Sequence, residues 1–357
     1  MRFPKVALFT HRFLEPTHYA IAQLLRGMSS YGYRFAVFAK RFIDFRDFER
    51  VNIVDRQRYS RGPVPGLSTG GFSLCHAIFD DKVVLRAYPE ARSAGLPFVL
   101  SFHGGFDTQA KIFDPRYKKE VVRIAREVEA VTVVTVADSH KLQRLGVDRV
   151  IDILPVPIDA DIIPDRVGPD PNLLVAVGRF IPKKGTDLAI RCLTFLPNTY
   201  RLIAVGGGRL EAELRRLAIT LGVADRVEFP GLLSLRETLS VMAGAGVLLH
   251  PGRVANDGNA EGTPQTVLWA QAMGLPVVTT PTGGLTDVVE DGLSGLLVEP
   301  ENPVALAAAI QRLKDDVDLY MEVSRQARFR VLERHRLSSV TRQLRDIYSR
   351  SAYGIEL

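Results

Sequence analysis

Cysteine is nearly absent: Cys75 and Cys192 are the two thiols in 357 residues, and they stand far apart. A disulfide framework or a structural zinc site needs more thiols at closer spacing, so neither is expected, and a reducing cytoplasm is the natural compartment. Long apolar runs are missing as well. None approaches the ~18 residues that span a bilayer. The short stretch Val6–Phe9 is too brief for a signal peptide and reads as a first β-strand. The sequence also lacks a nucleophile elbow, a P-loop lysine motif and any Cys/His cluster at metal spacing. No short-period repeat or low-complexity tail is present, which argues against solenoids and disordered arrays.

What remains is ordinary globular material, 46% hydrophobic and 24% charged. At about 100–200 residues per domain, the length suggests two domains with a core each. Charge divides them. Residues 1–160 hold 24 Lys+Arg against 17 Asp+Glu, a balance of +7; the remainder holds 22 against 23, a balance of −1. A basic first half beside a near-neutral second half points either to an anionic partner or to a solubilising surface. No nucleic-acid recognition motif accompanies the charge, so nucleic acid is not the partner expected.

Strand-like and helix-like segments alternate throughout. In the first half, Lys5–Thr10, Phe35–Ala39, Pro97–Phe102 and Ala130–Ala137 read as strands. Thr17–Tyr31, Lys118–Glu129 and Asp138–Leu145 read as helices. Pro155, Pro157, Pro164, Pro169 and Pro171 then crowd seventeen residues, which is linker chemistry. A second alternating series runs from Leu173–Val177 to the helix Pro303–Lys314. This order predicts an α/β protein of two doubly wound, Rossmann-like domains facing across a cleft, with ligands beyond the carboxyl ends of the strands. The expected domains are residues 1–165 and 172–339, with a C-terminal helix at about 340–357 packing back on the first.

Four segments could carry chemistry. Val177-Gly178-Arg179-Phe180-Ile181-Pro182-Lys183-Lys184-Gly185 ends a strand and places Arg179 and a lysine where they could hold a diphosphate. An ordinary cationic surface loop is the alternative. Glu261-Gly262-Thr263-Pro264-Gln265-Thr266 precedes a helix whose first turn includes Pro264; its free amides suit an anion, and Glu261 either accepts from sugar hydroxyls or caps the helix. His103, with Gly104, Gly105 and Asp107, follows a strand and either bonds a sugar hydroxyl or is structural. Gly206-Gly207-Gly208 is either a phosphate cradle or a tight turn; it does not match the dinucleotide fingerprint. Asp159-Ala160-Asp161 lies in the proline-rich linker and is not read as a metal site. Phe42, Phe45 and Phe48, interleaved with charge, would form one helical face, turned toward lipid headgroups or toward the core.

The order and spacing of these segments resemble family 4 glycosyltransferases over roughly residues 70–350. The resemblance rests on Gly178-Arg179, Lys184-Gly185, Glu261-Gly262-Thr263-Pro264, Ala270–Val278, Gly283-Gly284 and Glu290–Val298. In the first half it rests on His76-Ala77-Ile78-Phe79, Phe102–Asp107 and Asp138-Ser139 with Leu154–Asp159. It implies a GT-B fold and a retaining, nucleotide-diphosphate-sugar-dependent transferase with no essential metal or other cofactor. Arg179 and Lys184 match the pair that holds the donor diphosphate, Glu261 the acid that contacts the donor sugar, and His103 the first-domain histidine beside it. Gly178, Gly207, Gly262, Thr263, Pro264, Gln265, Thr266 and Trp269 then fall on the donor side, and Gly104 and Asp107 on the acceptor side. The implied partners are a nucleotide-sugar, a glycan or lipid-linked acceptor of cell-surface polysaccharide synthesis, and an anionic membrane face for a peripheral cytoplasmic enzyme.

Two positions depart from the pattern. Trp269 stands where the second acid of the family's E-x7-E motif holds ribose, and an indole accepts no hydrogen bond. Asp287 replaces the glutamate usual after Gly283-Gly284. Trp269 keeps open a second reading, a catalytically weak nucleotide-sugar-binding partner or sensor.

Overall fold

The computed structural model describes residues 4–13, 19–42, 51–58, 66–78, 81–102, 115–256 and 260–353. The chain divides into two compact units, Met1–Pro157 with His335–Leu357, and Ile158–Arg334.

The first unit holds β1 (Lys5–Phe13), α1 (Tyr19–Ser30), β2 (Arg34–Phe42), β3 (Ile53–Arg58), β4 (Leu74–Ile78), α2 (Asp81–Ser93) and β5 (Phe98–Phe102). It continues with α3 (Pro115–Glu127), β6 (Ala130–Val133), α4 (Val136–Arg144) and β7 (Asp152–Ile153). All pairings are parallel, in the order β3-β2-β1-β4-β5-β6-β7. Helices cover both faces, so the strands are apolar on both sides and their residues alternate between two cores. Ala7, Phe9, Ala36, Phe38, Cys75 and Ala77 pack on one face with α2 and α3 residues such as Val84 and Ile124. Val6, Leu8, Phe35, Val37 and Leu74 pack on the other with Ile21, Leu25 and Met28 of α1.

The second unit holds β8 (Asp170–Val177), α5 (Thr186–Cys192), β9 (Arg201–Val205), α6 (Glu211–Thr220), β10 (Val227–Gly231) and α7 (Leu235–Gly244). Then come β11 (Ala245–His250), α8 (Gln265–Ala272), β12 (Val277–Thr279), β13 (Leu296–Leu297), α9 (Pro303–Asp315) and α10 (Val317–His335). This sheet too is parallel, in the order β10-β9-β8-β11-β12-β13. Each sheet therefore reverses strand order once, between β1 and β4 and between β8 and β11, which is the doubly wound arrangement the alternation predicts.

A final helix, α11 (Leu337–Tyr353), belongs to the first unit. Val340, Leu344, Ile347 and Tyr348 complete its α1-side core. Gly27 of α1 makes the close approach possible: a Cβ there would lie 2.3 Å from Thr341 Oγ1. Under α11 the sheet carries polar groups. His76 Nδ1 and the Tyr348 hydroxyl are 2.6 Å apart, His76 Nε2 is 2.6 Å from Ser101 Oγ, and Ser101 Oγ is 2.6 Å from Thr132 Oγ1.

Two local expectations change, and the Asp159-Ala160-Asp161 segment gains a structural role. β6 stops at Val133 rather than running to Ala137, because Thr135 Oγ1 accepts from the Asp138 amide at 3.0 Å and caps α4. Phe42 continues β2 instead of opening a helix, so the proposed stripe fails at its first member; Phe45 and Phe48 lie outside the described residues. Asp159 caps a short 3-10 turn at Ala160–Ile162, its carboxylate accepting from the Asp161 amide at 3.2 Å. Among the described residues, no helix is long and apolar enough to cross a membrane.

Candidate functional site

The crevice beside the strand reversal is where an open parallel sheet presents loops to a ligand. In the second unit those loops follow β8 and β11, and backbone contacts fix them. The Gly178 amide donates to Val205 O at 3.0 Å and the Phe180 amide to Gly207 O at 2.9 Å, so the β8 and β9 loops run on side by side. Gly206 leaves no room for a side chain: a Cβ would sit 1.9 Å from Gly178 O. Gly208 meets the Phe180 backbone at 2.8 Å in the same way. Gly206 and Gly208 thus serve close backbone approach, whereas at Gly207 a Cβ would meet only ordinary contacts, Leu232 Cγ at 3.6 Å first. Gly185 combines a left-handed φ of 63° with a Cβ position 1.9 Å from Pro251 O, which ties the β8 loop to the β11 loop.

Between these glycines, Pro182–Lys184 forms a 3-10 turn. It brings two ammonium groups onto one carboxylate. Lys184 Nζ is 3.0 Å from Glu261 Oε2, and Lys183 Nζ is 3.3 Å from Glu261 Oε1. Lys183 Nζ also donates to Ala260 O at 3.2 Å. The Glu261 side chain is 7% exposed, the lysines 14% and 15%. Burial alone would raise the Glu261 pKa, but Lys184, His250 and Lys183 outweigh it and hold it at about 2. Glu261 therefore does not cap α8 but is the shared counter-ion of two lysines. The backbone of Glu261 and Gly262 is clamped from behind: Gly284 donates to Glu261 O at 2.9 Å, and a Cβ on Gly283 or Gly284 would lie 2.2 Å from Glu261 O or 2.4 Å from Gly262 O.

α8 begins at Gln265; Pro264, at φ −72° and ψ 119°, is its N-cap rather than a member of its first turn. The expected donor-side residues gather here. Thr263 Oγ1, Gln265 Nε2 and Thr266 Oγ1 are buried and make no hydrogen bond among the described residues. Each such group costs about 1–3 kcal/mol unless something satisfies it. His250, 2% exposed at the end of β11, adds a buried Nε2 in the same state. Burial, with repulsion from Lys184 and Lys183, pushes its pKa down to about 3, so the imidazole is neutral. Arg179 is exposed on the β8 loop and forms no ion pair among the described residues. Trp269 lies one turn into α8, 8% exposed.

The resemblance included Gly185, but the sequence had not singled out His250, nor told Lys183 from Lys184. Doublets such as Lys183-Lys184 look equivalent in sequence, and the pairing that separates them is tertiary. His103, Gly104 and Asp107 lie outside the described residues. Among the described residues no group of three or more His, Cys, Asp or Glu could hold a metal ion.

A doubly wound domain with cationic loops and orphaned donors at a helix start belongs to the class of proteins that hold anionic ligands at the strand reversal. Comparison with known proteins gives the family. The family model of glycosyl transferases group 1 matches residues 159–330. The GDP-mannose-dependent alpha-(1-6)-phosphatidylinositol monomannoside mannosyltransferase of Mycobacterium tuberculosis is 30% identical over 278 residues, 72% of this chain and 71% of that one. The chain belongs to the glycosyl transferases group 1 family. That match corrects the label of family 4 drawn from the motifs: glycine clamps and a lysine–glutamate pair meet a physical need of the loop and do not separate one group from another. The amylovoran biosynthesis glycosyltransferase AmsK of Erwinia amylovora is 27% identical over 71% of this chain and 64% of its own length. The chain spans 34% to 64% of the length of four such relatives. Among solved structures, Anabaena Alr3699/HepE in complex with UDP and glucose superposes with a TM-score of 0.80, at 17% identity, over 97% of this chain and 99% of that one. That likeness shows the fold.

Proposed function

We propose that the chain is a retaining glycosyltransferase that moves a sugar from a nucleotide diphosphate onto the hydroxyl of a glycan or lipid-linked acceptor in cell-surface polysaccharide synthesis. The observation that carries this reading is the buried Lys184–Glu261 pair beside the unsatisfied polar atoms at the start of α8. Arg179, Lys184 and the α8 amides hold the diphosphate and stabilise the negative charge that grows on it as the glycosidic bond breaks. Glu261, kept ionised, accepts from hydroxyls of the donor sugar. The acceptor hydroxyl attacks from the face the diphosphate leaves, its proton passing to the departing phosphate oxygen. His103 is assigned beside that sugar by resemblance. Gly178, Gly207 and Gly262 let backbone approach the donor, and Gly104 and Asp107 belong to the acceptor side. Trp269 leaves ribose without the usual carboxylate, which favours recognition through other groups. The names of the mycobacterial and Erwinia relatives support a surface-glycan acceptor. The basic first half suits an anionic membrane face.

The test is a thermal-shift panel of UDP, GDP and ADP with their sugars, with and without Mg²⁺. A ligand at 100 times its dissociation constant stabilises by about 2.7 kcal/mol. A selective shift, indifferent to Mg²⁺, is expected. With the donor so identified, Arg179→Ala and Lys184→Ala should each lower turnover by about tenfold to a thousandfold. Wild-type turnover in both sinks the phosphate assignment. No shift with any nucleotide favours the sensor or partner reading that Trp269 keeps open.

A further inference from the structure

One carboxylate with two lysines raises the question of why the second is there. The two are not equivalent. An ammonium has three donors. Lys183 donates to Ala260 O at 3.2 Å and forms an ion pair with Glu261 Oε1 at 3.3 Å, and its own carbonyl accepts from the Arg253 amide at 3.1 Å. It is anchored on both sides. Lys184 has Glu261 Oε2 as its one partner among the described residues, and its methylene stem lies 3.3 Å from where a Gly178 Cβ would be. Two of its protons are unspent.

We propose that Lys183 is the standing counter-ion of Glu261, which frees Lys184 to be shared with the donor's diphosphate. The inference rests on the donor-site reading above. Removing one partner of a buried ion pair leaves an uncompensated charge and is strongly destabilising. If Lys184 were the sole partner, sharing its one charge with phosphate would leave Glu261 under-compensated, and the carboxylate would take up a proton and accept less strongly from the sugar. Lys183 prevents this. It is a positioning residue and touches no reacting atom. The charged or titratable groups around it are Glu261, Lys184 and Arg179, with His250 behind them. Burial lowers the Lys183 pKa and Glu261 raises it, so the carboxylate in turn keeps this ammonium protonated.

Calorimetric titration of UDP and of GDP into the wild type, Lys183→Gln and Lys183→Arg, in two buffers of different protonation heat, reads the proton count directly. Lys183→Gln should take up to about one proton more per nucleotide than the wild type. Its affinity should fall by up to about tenfold for each pH unit of increase relative to the wild type. Lys183→Arg should restore both values. A wild-type proton count and pH profile in Lys183→Gln overturns the role of Lys183 alone; failure of both nucleotides to bind the wild type overturns the donor-site reading instead. If Lys183→Gln does not fold, Glu261→Gln and the double variant K183Q/E261Q decide the matter, because neither has a carboxylate that needs a counter-ion. They should bind nucleotide with equal affinity and equal proton count, and unequal values overturn the inference.

Discussion

The two units share a strand order but place their polar groups differently. In the second unit, charge collects above the carboxyl ends of β8 and β11, in loops locked by glycines against neighbouring backbone. In the first, the buried polar chain Thr132–Ser101–His76–Tyr348 lies on a sheet face, under α11. The first arrangement leaves donors unspent; the second pairs hydroxyls and imidazole with one another and holds a helix in place. One fold thus supports either a cluster of unspent polar groups or a structural seam, depending on whether the polar residues sit at strand ends or in the sheet.

Substitution can sharpen this contrast. The largest effect is expected at the glycine clamp. Gly185→Ala forces a Cβ to 1.9 Å from Pro251 O on a left-handed backbone and should destabilise the second unit by about 4 kcal/mol or more in urea denaturation. Gly95→Ala in the first unit carries a similar φ of 66° with nothing within 4 Å, and should cost about 1 kcal/mol. Equal losses at the two sites would refute the claim that backbone approach, not φ, makes Gly185 necessary.

Next in size is Leu344→Ala. Leu344 is fully buried between α11 and α1, so the cavity should cost about 2–5 kcal/mol, with hydrogen exchange rising in the first unit and not at the lysine–glutamate cluster. Acid should act the other way round. His250 is neutral in the fold, with a pKa of about 3 against 6.5 when unfolded, so the unfolded chain binds the extra proton. Stability is therefore lost as pH falls from 6.5 toward 3. Glu261, held at about 2 against an ordinary 4.5, adds a further loss below 4.5. The melting temperature of the second unit should begin to fall below pH 6.5, and His250→Gln should flatten the profile down to 4.5. The smallest effect belongs to an exposed network: Arg123→Ala, which breaks contacts to Glu120 and Glu127, should cost less than about 1 kcal/mol.

Most of the elements were legible because apolar runs and glycines punctuate them. Some were not, for identifiable reasons. β3 alternates exposed Val54, Arg56 and Arg58 with half-buried Ile53, Asp55 and Gln57, and this mostly polar run looks like a loop. α2 contains Pro89 in its interior, a residue that normally ends a helix. α10 buries little beyond Val323, Ala327 and Val331, too narrow a stripe to stand out. At the site, spacing pointed to Lys184 and Glu261 without showing that they pair. It did not separate Lys183 from Lys184, because the partners of Lys183 lie 77 and 78 residues away at Ala260 and Glu261.

The return of α11 has a consequence for synthesis. Ile158–Arg334 is one continuous stretch, whereas the sheet beginning at Lys5 is incomplete on its α1 side until Leu344 and Tyr348 have been made. A chain emerging from the ribosome can close its second unit while the first still exposes Ile21, Leu25 and Met28. The usual order of domain maturation, N-terminal first, is inverted here. The earlier-made half is also the one whose α1-side apolar face waits longest for its cover.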